Sequence, residues 1–422
     1  MMASRTLVTR FAFAVVLVGL QQLATGPAEA VKRRAFVTSE IGNGNLNSWP
    51  SSGGLFGLPA GDNICRVLAG DAGLPNANTY RAWLSTASTD AFCHVQGQTG
   101  KKATGCVGTA EPAGPWYRYD GVGRFTGTLD DLVGPELRIY QPIRYDETGG
   151  DRSADGFGYW TGTLATGEGG FSNCVGWVVG TSQSNGVTGS PTHTAGKWTD
   201  LNIPVCSNTR RLLCLEPGAS EVTPVPWIPA ALAFTTSSFG GGELGSWPEA
   251  GSEIGFAAGD DICRNLAAAA HLPSPQSFVA WLSGATVDAR DRLQLEGVPI
   301  RRVDGFRVAD SKADLLANGN DNTFHVDERG RYLSERLVFR TATYEDGTLS
   351  GDGACLDWTS QSHLQEALAG SADIAYNAKW TNDYIITCGM DARLLCLSNR
   401  EVLFWDGFEL SGNTERWSAV AP

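Results

Sequence analysis

The chain has 422 residues, 42% of them hydrophobic and 18% charged, which supplies apolar material for two or three buried cores and argues against wholesale disorder. Asp and Glu outnumber Lys and Arg by 45 to 32, a formal net charge of −13. That balance disfavours a duplex nucleic-acid binder, which needs a basic face to displace phosphate counterions, and disfavours docking on anionic lipid by charge.

In chain order, residues 1–30 read as an export signal. Arg5 and Arg10 give a basic start, and Phe11 to Leu20 form an apolar stretch too short to span a bilayer. Ala28-Glu29-Ala30 supplies a small-x-small site, with cleavage expected after Ala30. No later segment is apolar enough to span. The mature chain is expected to be secreted, periplasmic or at the cell surface, without a membrane span, where disulfides are chemically allowed.

An internal repeat organises the remainder. Ala35-Phe36-Val37-Thr38-Ser39 returns as Ala233-Phe234-Thr235-Thr236-Ser237, and Ser48-Trp49-Pro50 as Ser246-Trp247-Pro248. Ile64-Cys65-Arg66 returns as Ile262-Cys263-Arg264, and Ala82-Trp83-Leu84-Ser85 as Ala280-Trp281-Leu282-Ser283. Later, Lys197-Trp198-Thr199-Asp200 matches Lys379-Trp380-Thr381-Asn382, and Arg211-Leu212-Leu213-Cys214 matches Arg393-Leu394-Leu395-Cys396. The chain therefore divides into a domain at 33–217, a Pro-rich linker at 218–231 that favours a stiff, extended spacer, a second domain at 232–399 and a tail at 400–422.

Within each copy, Asp62 or Asp260 is expected to cap a helix whose inner face holds Ile64 and Leu68, or Ile262 and Leu266. Gly73-Leu74-Pro75 and His271-Leu272-Pro273 stop it. A second short helix is expected to place Tyr80, Trp83 and Leu84 on one face, matched by Phe278, Trp281 and Leu282. Short apolar runs between Gly, Asp and Asn follow, so each copy reads as an α+β domain with two early helices and a loop-rich, mostly antiparallel sheet.

Four cysteines recur: Cys65, Cys174, Cys206 and Cys214, then Cys263, Cys355, Cys388 and Cys396. Four allow three pairings. The nested one is favoured, Cys65–Cys214 around Cys174–Cys206 and Cys263–Cys396 around Cys355–Cys388, because the outer bridge would tie the first helix to the last strand. Cys93 and Cys106 occur only in the first copy and would staple an inserted loop. All ten would then be paired, leaving no thiol for nucleophilic chemistry.

The run from Ile64-Cys65 through Ala72-Gly73-Leu74-Pro75 to Thr79-Tyr80-Arg81-Ala82-Trp83-Leu84-Ser85 resembles the opening of endostatin and its bacterial relatives, within the C-type-lectin-like superfamily. Arg302-Val303-Asp304-Gly305 with Ala313-Asp314-Leu315-Leu316, Cys355-Leu356-Asp357-Trp358-Thr359-Ser360 and Arg393-Leu394-Leu395-Cys396 extend that resemblance over both copies. It implies two tandem C-type-lectin-like domains with nested disulfides. The tail from Phe404 to Trp417 resembles a short Gly-Phe-Glu-Ser-Gly-Asp tail of exported bacterial proteins, which implies a sorting tag; a strand packed on the second domain is the other reading.

The departures shape the functional expectation. Neither copy carries the Glu-Pro-Asn or Gln-Pro-Asp triplet of calcium-dependent sugar lectins, and Trp198-Thr199-Asp200 and Trp380-Thr381-Asn382 keep half of those lectins' Trp-Asn-Asp element. Asp151-Arg152-Ser153-Ala154-Asp155-Gly156 matches the front of a calcium loop, but Gly162 stands where a bidentate Glu is needed, so an ordinary acidic turn is expected. The histidines (His94, His193, His271, His325, His363) lack ligand spacing, so no metal and no cofactor are expected.

Trp177, Trp198, Trp358 and Trp380 flank the inner bridge, where core packing is the commoner role and sugar stacking the functional one. The hydroxyl-rich loop from Gly176 to Lys197, and its counterpart from Thr359 to Lys379, lie where ligands bind in the superfamily. The candidate ligand-binding residues are Trp198, Asp200, Trp380, Asn382 and Asp383. No Gly-x-Ser-x-Gly elbow, His-Glu-x-x-His or phosphate loop occurs. Asp146-Glu147 and Asp327-Glu328 recur, but adjacent residues on a strand point to opposite faces and make a poor acid–base pair. The expected function is non-catalytic recognition of surface glycan or protein. A structural or adhesive envelope protein is the first rival, and a hydrolase using a carboxylate pair the second.

Overall fold

A computed structural model describes residues 31–226 and 228–403. The expected export signal, Trp227 and the tail from residue 404 onward lie outside the described residues. Both repeats fall within one compact unit. Each is α+β, built around its own sheet.

In the first repeat, β1 (Arg33–Val37) lies at the centre of a seven-stranded sheet, between β3 (Trp116–Arg118), to which it is parallel, and β7 (Arg211–Leu215), to which it is antiparallel. Central placement explains why Ala35, Phe36 and Val37 are all buried instead of alternating. Helix α1 (Gly57–Asp71) packs on this sheet through Ala60, Ile64, Cys65 and Ala69. Gly61 makes that contact close: a Cβ there would stand 2.8 Å from Leu84 Cδ1. The remaining strands are β2 (Arg81–Ala82), β4 (Arg124–Thr126), β5 (Tyr159–Trp160) and β6 (Thr188–Gly189), and the order across the sheet is β4-β3-β1-β7-β5-β6 with β2 also on β7. The second repeat repeats this plan. Its β8 (Ala231–Thr235) sits between β10 (Ile300–Arg302) and the final strand Arg393–Ser398, and its helix α2 (Gly255–Ala269) packs as α1 does.

Two local expectations are corrected. Asp62 and Asp260 are not N-caps, since each helix begins five residues earlier, with Pro59 tolerated in the first turn of α1. Each aspartate turns inward instead. Asp62 Oδ1 accepts from Ala82 N at 3.0 Å and lies 2.9 Å from His94 Nε2; Asp260 Oδ1 accepts from Ala280 N at 2.9 Å and from Arg292 at 2.6 Å. The expected second helix is a strand in both repeats, β2 and β9 (Phe278–Ala280), paired to the last strand. An i, i+3, i+4 apolar triplet in so short a run does not separate helix from strand. Here those aspartates and the Trp83 N–H to Leu213 carbonyl bond, 2.8 Å long, hold the chain extended.

The bridges are Cys65–Cys214, Cys174–Cys206 and Cys93–Cys106 in the first repeat, and Cys263–Cys396 and Cys355–Cys388 in the second, with no free cysteine among the described residues. Each inner bridge starts a turn of backbone with positive φ. Cys174 to Trp177 run between +48° and +73°, and Cys355 to Trp358 between +50° and +68°. Left-handed conformation costs an L-residue about 1–2 kcal/mol. The turn is held at one end by the bridge and at the other by a buried indole, Trp177 Nε1 donating to Ser85 O at 2.8 Å and Trp358 Nε1 to Ser283 O at 3.1 Å.

The repeats are packed against each other. Tyr140 of the first repeat enters the core of the second, its ring stacked on Phe306 at 5.0 Å and edge-on to Tyr332 at 5.7 Å. Its carbonyl accepts from Arg302 Nη2 and Asn322 Nδ2, both at 2.9 Å. A second seam runs along Thr192 to Lys197: Thr194 N donates to Asp373 O, Ala375 N donates to Thr192 O, and Lys197 pairs with the buried Asp373 at 3.4 Å. Gly218–Ala219 pairs with Ala113–Gly114, and Tyr117 Oη accepts from Thr223 N at 2.8 Å.

Candidate functional site

The tryptophans proposed for stacking belong to the core. Trp198 and Trp380 are fully buried, their rings 5.1 and 5.3 Å from Trp83 and Trp281, so neither offers a face to a sugar. The following threonines serve the same layer: Thr199 Oγ1 accepts from Trp83 Nε1 and Thr381 Oγ1 from Trp281 Nε1, each at 2.9 Å. Trp177 and Trp358 are buried as well. Of the polar candidates, Asp200 is half-buried, and that burial raises its carboxyl pKa. Asn382 lies 3.5 Å from Glu345 Oε2, and Asp383 pairs with Lys379 at 3.2 Å. These three do not converge on one cavity.

The recurrent carboxylates shape turns. Asp146 Oδ1 accepts from Thr148 N at 2.9 Å and Gly150 N at 2.8 Å, and Oδ2 pairs with Arg152. Burial pushes this carboxyl up, but those bonds outweigh it and hold it below the usual range. Asp327 repeats the arrangement with Arg329 N, Arg331 N and the Arg331 guanidinium. Glu147 and Glu328 catch Ser39 N and Ser237 N at 2.9 and 3.0 Å; burial raises Glu328 despite its bond from Ser237. All four are buried, closed off from a substrate. In the acidic turn, Asp151 pairs with Arg144 and Asp155 with Arg211, while their remaining oxygens take backbone N–H groups of the same turn. No cluster of metal-ligating side chains occurs among the described residues.

A cavity of about 210 Å³ opens where the hydroxyl-rich loop of the first repeat meets the second repeat. Thr188, Ser190, Thr192 and Asn202 line one side, and Tyr376 and Lys379 the other. His193 stands between, its Nδ1 2.9 Å from Ser190 Oγ and 3.2 Å from Thr192 Oγ1. Burial, with Lys197 and Lys379 nearby, pushes this imidazole down to about 3. It is neutral at any ordinary pH, so the pocket presents a neutral ring, hydroxyls and an amide beside two cations, Lys379 and Arg210. Such a set can donate and accept hydrogen bonds to hydroxyl groups.

Of the sequence-derived candidates, none lines this cavity; Asp200 stops two residues short of Asn202. The loops from Gly176 and Thr359 do supply its walls. The sequence does not show that residues of the second loop close over the first, because that depends on the inter-repeat seam.

No protein-family model matches the chain, and no curated protein matches it. Five bridges fit an oxidising compartment, and among the described residues no helix is long and apolar enough to cross a membrane.

Proposed function

We propose that the chain is an exported, non-catalytic recognition protein with two C-type-lectin-like domains, which binds surface glycan in the hydroxyl-rich pocket between its repeats. The observation that carries the reading is that pocket: hydroxyls and an amide converge on it, on a frame fixed by two bridges per repeat. Its chemistry suits binding better than turnover. The imidazole in this pocket, His193, which meets Ser190 and Thr192 hydroxyls, has a conjugate acid at about 3, too weak a base to activate a serine at neutral pH. The recurrent Asp-Glu pairs are consumed by turns.

A glycan array probed with the secreted chain tests the reading. Binding to at least one glycan class is expected, reduced about tenfold by Asn202→Ala or Tyr376→Ala, each removing a hydrogen bond or contact of about 1 kcal/mol or more. Absence of signal from every glycan favours the structural or adhesive envelope protein. Product release from polysaccharide would support the hydrolase instead.

A further inference from the structure

The two repeats enclose a second and larger cleft, about 360 Å³, floored by the stretch Thr223 to Pro226. In a chain of net charge −13, its lining holds six cations, Lys32, Arg118, Arg124, Arg144, Arg301 and Arg307, against one carboxylate, Asp321. Three come from the first repeat's strands β3 and β4 and the turn at Arg144, two from the second repeat, and Lys32 from the residue before β1. Like charges do not gather so by chance of packing, since each costs repulsion unless something of opposite sign answers it.

Part of that charge is answered internally. Asp321 takes Arg144 at 3.2 Å and also pairs with Arg307; Asp151 takes Arg144 at 3.0 Å as well, Asp310 pairs with Arg307, and Arg301 Nη1 donates to Gly305 O at 2.7 Å. Two members are left with little. Lys32 has no ion pair among the described residues and lies 5.2 Å over the Tyr117 ring. Among the described residues, Arg118 has only Asp120 as an ion partner, at 3.9 Å, and its buried Nε has no hydrogen-bond partner. The Tyr145 ring carries Arg118 at 4.8 Å and Arg144 at 5.4 Å, which fixes both guanidinium planes. The cleft is a cationic one, of ligand-binding size.

We propose that this cleft binds the carboxylates of an acidic oligosaccharide built from uronic acids, with Lys32 and Arg118 as the contacting cations. It rests on the reading that the chain recognises glycan, and adds a second site of different ligand class to the neutral pocket. Guanidinium groups match a carboxylate in two parallel hydrogen bonds. The overall negative charge does not oppose this at physiological salt, where charges beyond about 8 Å are largely screened and the local cations dominate.

The test is calorimetric titration of the secreted chain with oligogalacturonate, with a neutral gluco-oligosaccharide of equal length as control. Oligogalacturonate is expected to bind, the neutral oligomer to bind at least tenfold more weakly in this cleft, and added salt to weaken the former. Lys32→Gln with Arg118→Gln is expected to lower oligogalacturonate affinity about tenfold with unchanged melting temperature. Lys32→Glu, at a half-buried surface position, gives the same loss if Arg118→Gln disturbs packing. Asn202→Ala is expected to leave it unchanged. No binding of oligogalacturonate by a chain that binds other glycans overturns the cleft assignment and leaves the recognition reading standing. Binding that ignores the Lys32 and Arg118 variants also overturns it, whereas failure on every glycan removes both.

Discussion

Thr199 and Thr381 show how a single atom decides what a position does. Each follows a buried tryptophan, and each spends its hydroxyl on another indole, Trp83 or Trp281. Thr199→Val keeps the shape and leaves the Trp83 N–H buried without a partner. A loss of about 1–3 kcal/mol is expected, read as a lower urea midpoint at unchanged slope. His325 is the second such residue. Fully buried at the seam, it lies 2.6 Å from Thr323 Oγ1 and 3.1 Å from Thr194 Oγ1, and burial with Arg302 nearby holds its pKa well below the ordinary value. The folded state keeps it neutral while the unfolded chain protonates near pH 6.5, so its contribution is intact above about 6.5 and is lost as pH falls, by about 1.4 kcal/mol per pH unit. His193 acts with the same sign. His325→Gln should flatten the fall of melting temperature between about pH 6 and 4, and an unchanged slope would refute the buried neutral imidazole.

At the scale of elements, the frame was legible and its use was not. The recurring cysteines and tryptophans mark helix, final strand and inner loop in both repeats, because covalent bridges and large indoles leave few arrangements. The strands at Arg81–Ala82 and Phe278–Ala280 were not legible as strands, since Asp62 and Asp260, read as caps, act as long-range acceptors. Nor does the sequence announce the left-handed turns, where Val175, Leu356 and Asp357 adopt a conformation usually left to glycine. The inner bridge is what should hold them. Cys174→Ala with Cys206→Ala is expected to cost about 2–4 kcal/mol and to speed hydrogen exchange at 174–186, while the second repeat stays protected. Equal loss of protection in both repeats would show that the turn is not sustained locally.

On the whole molecule, duplication gave two similar cores, and Tyr140 of the first repeat ties them together. Tyr140 has its ring among Phe306 and Tyr332 and its carbonyl on Arg302 and Asn322. Composition, spacing and repeat offsets carry no sign of this, because the partner surfaces lie some 160–190 residues away. Both cavities described above depend on it. The wild-type chain is expected to melt in one calorimetric transition, and Tyr140→Ala, at a cost of about 3 kcal/mol, to separate it into two. Two transitions already present in the wild type would mean that the seam is too weak to fix either cavity.

Recognition without thiol chemistry, on two halves each sealed by its own nested bridges, is the claim from which the functional argument starts. Peptide mapping of the secreted chain by mass spectrometry, with a free-thiol count, tests it most directly. The account predicts zero free thiols and the five crosslinks Cys65–Cys214, Cys93–Cys106, Cys174–Cys206, Cys263–Cys396 and Cys355–Cys388. A crosslink joining the two halves, or Cys65 or Cys263 recovered as a thiol, would contradict it.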